Sequence, residues 1–446
     1  MAKNELIVGE PRLGWFVDDP DTRRVPVMLR DTGTVVELTV AFKGFGGDGE
    51  HSRWWSSDDV MYMDDPDRTK HRYAPPRALV VEDVLGRVVL VGCRAAGSGW
   101  NAAVGQGRIV ATYAVLGGRS PDYEKIHGFR TEVPALAAWT RLSGIEVEAG
   151  TDDRTGWKSV EMKLSNVEPV ALAAAMNLTL ASHWQTTRGD GHGEFHVHET
   201  IELETTVDEA RSWDDHIAVH GAVVELASVA AWHRFGFAAV KAAGAEDRIR
   251  SATGEDLGPR WLEVSTHQLQ RHEPWSSEPA FLFPYGEVGP SGVERWLTLR
   301  TDYAEALEPL LSILRTDRPW SNASVVQSGI ALEKLAYLID INKNGKANHN
   351  SYGRIHYKKG LHIILDDMAV KPFDDAEGWI TRADAAYMAL KHHDRPMPDT
   401  LELMNTLREN ILVLRFWIGL QLGVTPESLV DGLARDDLAR EFVLLE

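Results

Sequence analysis

The 446-residue chain has a single cysteine, Cys93, so neither a disulfide framework nor a cysteine-based zinc site can form within it. Long apolar runs are missing as well. The best candidate, residues 170–181, is about a dozen residues interrupted by Asn177 and Thr179, short of the roughly 20 needed to cross a bilayer. The opening residues carry Glu5, Glu10 and Pro11 where a signal peptide needs its apolar segment. Positive charge is in deficit: 47 Lys and Arg face 66 Asp and Glu, a net charge of −19. Such a field repels polyanions at long range and argues against a general nucleic-acid coat protein, whose affinity rests on neutralising phosphates, while leaving room for an enzyme that touches RNA through one small local patch. These absences predict a soluble, cytoplasmic protein with no membrane partner. The deficit is uneven. Residues 321–446 hold 14 basic and 18 acidic side chains, so most of the acidic excess lies before them and the C-terminal part is the less hostile place for RNA.

What is present is an ordinary globular composition, 43% hydrophobic and 25% charged, over a length that predicts roughly two or three domains. Short runs rich in β-branched and aromatic residues at 25–30, 35–42, 78–82, 88–91 and 109–116 read as strands, with turn clusters at 31–33, 44–49 and 97–99. The polar insertion at 51–76 reads as a surface loop. A second strand block follows at 158–164, 178–186 and 195–205, with a turn at 188–193 between the last two. Helical spacing then runs over 213–243, strand-like runs return at 261–264, 280–283 and 296–299, and a helix follows at 303–315. After Pro319 the pattern is helical throughout: 321–341, 352–368, 374–393, 399–422, and a last helix opened by Thr425, Pro426 and Glu427. The loop at 342–353 is expected to be mobile. The expected fold is α+β: a β-rich N-terminal module of mostly antiparallel strands plus a helical segment, followed by an all-α helical bundle. Three stretches follow from this, a β-rich one over 1–150, a second with helices over 151–315, and the helical domain over 316–446.

Chemistry concentrates at the end of the third bundle helix, where Lys391, His392, His393, Asp394 and Arg395 gather before Pro396. Histidine there can exchange a proton near neutral pH, which suits general acid–base work. The bland alternative is a basic helix C-terminus, where cations are favoured electrostatically. Glu333 lies on a helix between Leu332 and Leu335 and either orients a catalytic group or pairs with a neighbouring cation. Arg354, Lys358 and Lys359, with Lys343 and Lys346 nearby, could hold RNA phosphates or simply be solvated. His192, His196 and His198 lie beside a Gly-rich turn, the last two on one face of a predicted strand, and could take zinc with Glu194; a plain polar strand face is favoured, and no metal site is expected. The glycines at 97–107 complete no dinucleotide-binding motif, so no cofactor is expected. Cys93 follows an apolar strand and is expected to be packed. Fifteen tryptophans are many, and Trp54, Trp55 and Trp100 fall in predicted loops where exposed aromatics suit a protein-binding surface.

Several stretches in a fixed order carry a family resemblance: Gly14-Trp-Phe-Val-Asp-Asp-Pro-Asp21, Arg108-Ile-Val-Ala-Thr-Tyr-Ala-Val-Leu-Gly-Gly118, His127-Gly-Phe-Arg-Thr-Glu-Val-Pro-Ala-Leu-Ala-Ala-Trp139 with Ser143-Gly144, Gln327-Ser-Gly-Ile-Ala-Leu-Glu-Lys-Leu335, and Leu390-Lys-His-His-Asp-Arg-Pro-Met-Pro-Asp399. The first three resemble the ApeA N-terminal domain, and the last two an ApeA-like HEPN domain, the helical nuclease module of anti-phage abortive-infection proteins. The resemblance implies a metal-independent endoribonuclease. An Arg-x(4–6)-His motif helps the RNA 2′-hydroxyl attack its own phosphate, the histidine handling protons and the arginine fork holding the phosphorane charge. It also implies a homodimer through the helical domain, RNA such as transfer RNA as substrate, and a phage-protein trigger bound by the N-terminal module.

His392 stands in the motif-histidine place, with His393 beside it. The positions that should hold arginine carry Ala385, Ala386, Tyr387 and Met388, and Tyr387 stands where the arginine is implied. Arg382 is ten residues from His392, about 15 Å along a helix, too far to share one phosphate. The residues expected to act are therefore His392 for proton transfer, Lys391 or Arg395 for the phosphate, and Glu333 for orientation, with His393 and Asp394 adjacent. The competing expectation is a HEPN-like bundle that binds and dimerises without cutting.

Overall fold

The computed structural model describes residues 3–17, 26–43, 54, 75–101, 104–151, 156, 158–188 and 193–443. The expected turn at 44–49, most of the insertion at 51–76, Trp55 and His192 lie outside the described residues. Contacts divide the chain into two compact units, residues 1–132, 202–218 and 236–272 in one and 133–201, 219–235 and 273–446 in the other. The fold is α+β.

The first unit is a sheet. Its strands are β1 (Pro11–Phe16), β2 (Pro26–Asp31), β3 (Val36–Lys43), β4 (Ala78–Asp83), β5 (Gly86–Val91), β6 (Arg94–Asn101), β7 (Val104–Ala111), β8 (Tyr113–Leu116) and β9 (Lys125–Glu132). The numbering continues through β10 (Ile145–Thr151), β11 (Lys158–Leu164), β12 (Val170–Ala173) and β13 (Leu178–Arg188), which belong to the second unit. The first unit adds the later part of β14 (Phe195–Ser212), then β15 (Ala239–Ala243) and β18 (Leu262–Thr266), with a small ribbon of β16 (Arg248–Arg250) and β17 (Asp256–Pro259). The strand order is β14-β9-β15-β18-β8-β5-β4-β1-β2-β3-β7-β6, and the registered neighbours are antiparallel.

The central strands explain why their sequences are continuous apolar runs rather than alternating ones. Leu79, Val81, Val88 and Leu90 feed one core, with Leu29, Leu38 and Ile109. Val80, Val89 and Val91, pointing the other way, feed a second core with Tyr113, Ile126, Phe129 and Trp213. A strand buried on both faces has no polar side to show. Trp213 stacks on Tyr113 at 4.1 Å between centroids, and its indole N–H donates to the Tyr123 carbonyl at 2.8 Å. Arg12 forks onto Asp83 with bonds of 2.7 and 2.8 Å, tying β1 to the β4–β5 turn. Cys93 is buried as expected, and burial pushes its thiol up to about 12.

The second unit is mostly helical. Its elements are α1 (Pro134–Thr140), the later part of α2 (Trp213–Ala231), α3 (Tyr285–Asp302), α4 (Ala304–Arg315), α5 (Asn322–Asn344), α6 (Tyr357–Asp366), α7 (Ala376–Lys391), α8 (Thr400–Leu422) and α9 (Pro426–Leu433). Side chains of Ser321, Asp375, Asp399 and Thr425 cap the N-termini of α5, α7, α8 and α9 by accepting from backbone N–H groups three residues on. Gly345 and Gly423, at φ of +60° and +92°, close α5 and α8 in the left-handed conformation. The helix α8 is buried almost all round from Thr406 to Gly419, and α5 lies against α4, α6, α7 and α8. Among the described residues no helix is long and apolar enough to cross a membrane.

Some local expectations fail for identifiable reasons; the turn expected at 97–99 is part of β6, held by its ladder to β7. The helix expected over 213–243 ends at Ala231, because Trp232 turns left-handed at φ +48° and the following apolar residues serve β15. The run at 296–299 is helical rather than a strand. Trp296 lies in line with Val288, Gly292 and Val293 on the buried face of α3, and that spacing, not the β-rich composition, decides. Residues 280–283 form no strand either; Phe283 instead accepts a hydrogen bond of 2.9 Å from the Trp139 indole.

Arg415 is fully buried in the second unit and bonds bidentately to Asp436 at 2.7 and 3.0 Å. Replacing Asp436 with Ala leaves an uncompensated buried charge, and urea unfolding should show a loss of about 3–5 kcal/mol. A loss below about 1 kcal/mol would mean that water reaches the guanidinium.

Candidate active site at the end of a bundle helix

A buried polar chain fixes the relative heights of three helices. The Trp379 indole on α7 donates to the Asn410 side chain on α8 at 2.9 Å, and Asn410 donates to the Ser328 hydroxyl on α5 at 3.0 Å. With that register set, Tyr387 on α7 reaches α5 and donates its hydroxyl to the Glu333 carboxylate at 2.9 Å. Gly329 makes room for the ring, since a Cβ there would lie 2.4 Å from Tyr387 Cδ2. The Tyr357 ring of α6 packs against it at 4.7 Å between centroids, and the Lys391 ammonium sits 5.0 Å from the Tyr387 ring centre. Lys358 stands 3.5 Å from Asp384, joining α6 to α7 next to this group.

The structure therefore brings Glu333, Tyr387 and Lys391 together, and Tyr357 against them. Burial and then the Glu333 charge push the Tyr387 phenol up, so it is a protonated donor at neutral pH and not a base. Tyr357 is also pushed up, by burial and then by Tyr387, Glu333 and Asp384, and among the described residues its hydroxyl finds no hydrogen-bond partner. Arg382 is committed elsewhere, to Asp375 at 3.1 Å and Glu409 at 2.7 Å, and those carboxylates hold its pKa up.

Beyond this group α7 opens to solvent. The His392 amide donates to the Met388 carbonyl at 2.9 Å and closes the helix, and the Arg395 amide donates to the His392 carbonyl at 3.3 Å, folding the chain into a turn. Lys391, His392, His393, Asp394 and Arg395 are all exposed there. Two imidazoles flanked by two cations and a carboxylate can exchange protons beside a bound phosphate.

The basic stretch after α5 is fastened at its start. Buried Asp340 accepts from the Asn348 side chain at 2.7 Å, the Asn348 amide at 3.2 Å and His349 Nδ1 at 2.8 Å. Burial opposes the charge on Asp340, but the bonds from Asn348 and then His349 outweigh it and hold its pKa below the usual carboxylate range. Arg354 is exposed, and the Lys359 ammonium donates to the Asn348 carbonyl at 3.2 Å. Lys359 and His362 line a cavity of about 240 Å³ that also holds Asp366 and Asp367, whose charges disfavour a phosphate. His196 and His198 are exposed on β14, and among the described residues no cluster of three or more ligating side chains could hold a metal.

The first unit has a cavity of its own. The strands β15 and β18 pair only at Lys241↔Glu263 and Ala242↔Leu262, then part. They are bridged again where the Phe237 amide donates to the Gln270 carbonyl at 2.8 Å and the His272 amide to the Phe237 carbonyl at 3.0 Å. The opening between measures about 530 Å³ and is lined by Leu6, Leu116, Val264, Leu269 and Arg271 among others. Nothing in the sequence pointed to it, because it depends on where two strands stop pairing.

Tyr357, Asp384 and Gly329 were missed as well. Only Gly329 left a signal. A glycine inside a helical pattern costs about 1 kcal/mol and usually has a packing reason.

An antiparallel β-rich part followed by an all-helical part, with a cationic histidine turn at the end of one helix, defines a two-part α+β protein. The chain belongs to the family of the ApeA N-terminal domain 1, whose model matches residues 11–297. That membership points to anti-phage defence. The match ends within α3, before the helices that carry the candidate residues. Comparison with curated proteins and with solved structures finds no match.

Gly329→Ala should destabilise the protein by about 1–3 kcal/mol through overpacking on Tyr387, and most of that loss should disappear when Tyr387→Ala is added; thermal unfolding of the two single variants and the double variant reads this directly. The lowered pKa of Asp340 means that its contribution is complete above the unfolded value of about 3.9 and is lost as pH falls through the folded value. Asp340→Asn should accordingly lower the urea midpoint at pH 7, and its difference from the wild type should shrink below about pH 4.

Proposed function

We propose that the chain is an anti-phage defence protein in which residues 316–446 form a HEPN-like, metal-independent RNA endonuclease and the β-rich part senses infection. The observation that carries this reading is the exposed turn at the end of α7, where His392 lies between Lys391 and Arg395. In the proposed reaction His392 takes the proton of an RNA 2′-hydroxyl, whose oxygen attacks the adjacent phosphorus. The bond to the 5′-oxygen breaks, that oxygen takes up a proton, and a 2′,3′-cyclic phosphate is left. Lys391 and Arg395 bear on the phosphate charge. Glu333 is a positioning residue, acting through Tyr387 and the end of α7 that it anchors. His393 and Asp394 stand ready to pass protons, and Arg354, Lys358 and Lys359 would track the RNA backbone, transfer RNA being the substrate class the resemblance suggests. Pairing of two helical domains would place two such turns at one substrate, and the phage-protein trigger would bind the N-terminal module.

A second reading has its own support. The place of the implied motif arginine holds a buried tyrosine that hydrogen-bonds Glu333, which suits a bundle that dimerises and binds without cutting.

Total cellular RNA incubated with the full chain in EDTA, with and without infected-cell lysate, separates the two. The nuclease reading expects cleavage that survives the chelator and falls by about 100-fold or more in His392→Ala, with a large loss in Lys391→Ala. RNA left intact under both conditions by a properly folded protein overturns it in favour of the binding bundle.

A further inference from the structure

In the second unit, β10 and β11 form a two-stranded sheet of their own, paired Ile145↔Leu164, Val147↔Met162 and Ala149↔Val160. Residues directly opposite share a face, and so do residues two apart on one strand. All six of these apolar side chains therefore lie on one face. The other face carries Glu146 against Lys163 and Glu148 against Glu161. The apolar face is not covered: Val147, Val160 and Met162 are 57%, 68% and 46% exposed. An isolated two-stranded ribbon is at best marginally stable in water, and a sheet needs a third strand or more to stand on its own.

The charges on the two edges say what fits. Self-pairing of β10 about Val147 would set Glu146 against Glu148 twice, acid on acid. Antiparallel self-pairing of β11 about Met162 does the opposite. It sets Glu161 against Lys163 twice, and Val160 against Leu164 twice, with every apolar residue kept on one face. Among the described residues β11 has no ladder partner on that edge. We infer that the free edge of β11 pairs with the same edge of a second copy of this chain, joining two ribbons into a four-stranded antiparallel sheet with one continuous apolar face. The contact explains why Glu161 is tolerated opposite Glu148 within its own ribbon: its partner is the Lys163 of the other copy. This interface is separate from the helical pairing in the proposed ribonuclease and does not rest on it.

Two measurements on the full chain test it. Met162→Cys places a thiol opposite itself across the two-fold axis, so mild oxidation should give a covalent dimer, whereas Ser159→Cys, which would face Ser165, should not; native Cys93 is buried and adds no background. Glu161→Lys should weaken the Met162→Cys cross-linking and raise the dimer dissociation constant about tenfold or more in sedimentation, and adding Lys163→Glu together with Glu146→Lys, which keeps the Glu146–Lys163 pair of the ribbon with its signs exchanged, should restore both. Loss of folding does not account for this outcome, because Glu161→Lys relieves the like-charge pair with Glu148 inside the ribbon. A Met162→Cys chain that stays uncross-linked overturns the inference, as does cross-linking indifferent to Glu161→Lys. A dimer that persists with neither effect uses another surface, which leaves helical pairing standing while this interface falls.

Discussion

The helical unit is organised around one buried cation. Arg415, in the middle of α8, donates from Nε to the Val229 carbonyl and from Nη2 to the Ala230 carbonyl, both at 2.8 Å, while its fork grips Asp436. The two carbonyls belong to the last turn of α2, where four acceptors lack intrahelical partners. Asp436 in turn accepts from the Leu438 amide at 2.9 Å and starts the final short turn. A guanidinium removed from water is tolerable only when nearly all its donors are met, so this group ties α2, α8 and the chain after α9 to one geometry. Helices packed on α8 inherit their positions from it.

Among them is α7, and here structure bears on chemistry. The Trp379–Asn410–Ser328 chain sets α7 against α5 and α8, and the Tyr387–Glu333 bond then sets the last two turns of α7. The turn from Lys391 to Arg395 is thus exposed but carried on a rigid stem. A site on the end of an anchored helix is better positioned than one on a free loop, and its open side leaves room for a large substrate.

Much of this was legible in the sequence. The bundle helices were readable because their caps are local: Ser321, Asp375, Asp399, Thr425, Gly345 and Gly423 act within a few residues of themselves. Strands β2 to β5 and β11 were readable from composition. In contrast, β6 holds Gly97 and Gly99 and reads as a turn, yet is held as a strand by its ladder to β7. The helix α3 was hidden because Gly289 and Pro290 break its pattern before Trp296. At the candidate site the sequence placed Lys391 to Arg395 at a helix end, but could not say that Glu333 meets Tyr387 instead of a histidine. That pairing depends on the register of α5 against α7, which distant buried groups decide.

The slot between β8 and β15 has a consequence for how the molecule is made. It is filled by β18, where Val264 lies opposite Val115. A ribosome must therefore add about 150 residues after β8 before its neighbour exists, on the order of ten seconds at ordinary elongation rates. Throughout that interval an apolar strand waits with one edge unpaired, the state most prone to capture by another nascent chain. Synthesis of this protein thus has a built-in period of vulnerability, which ends only when β18 has been made and can close the slot.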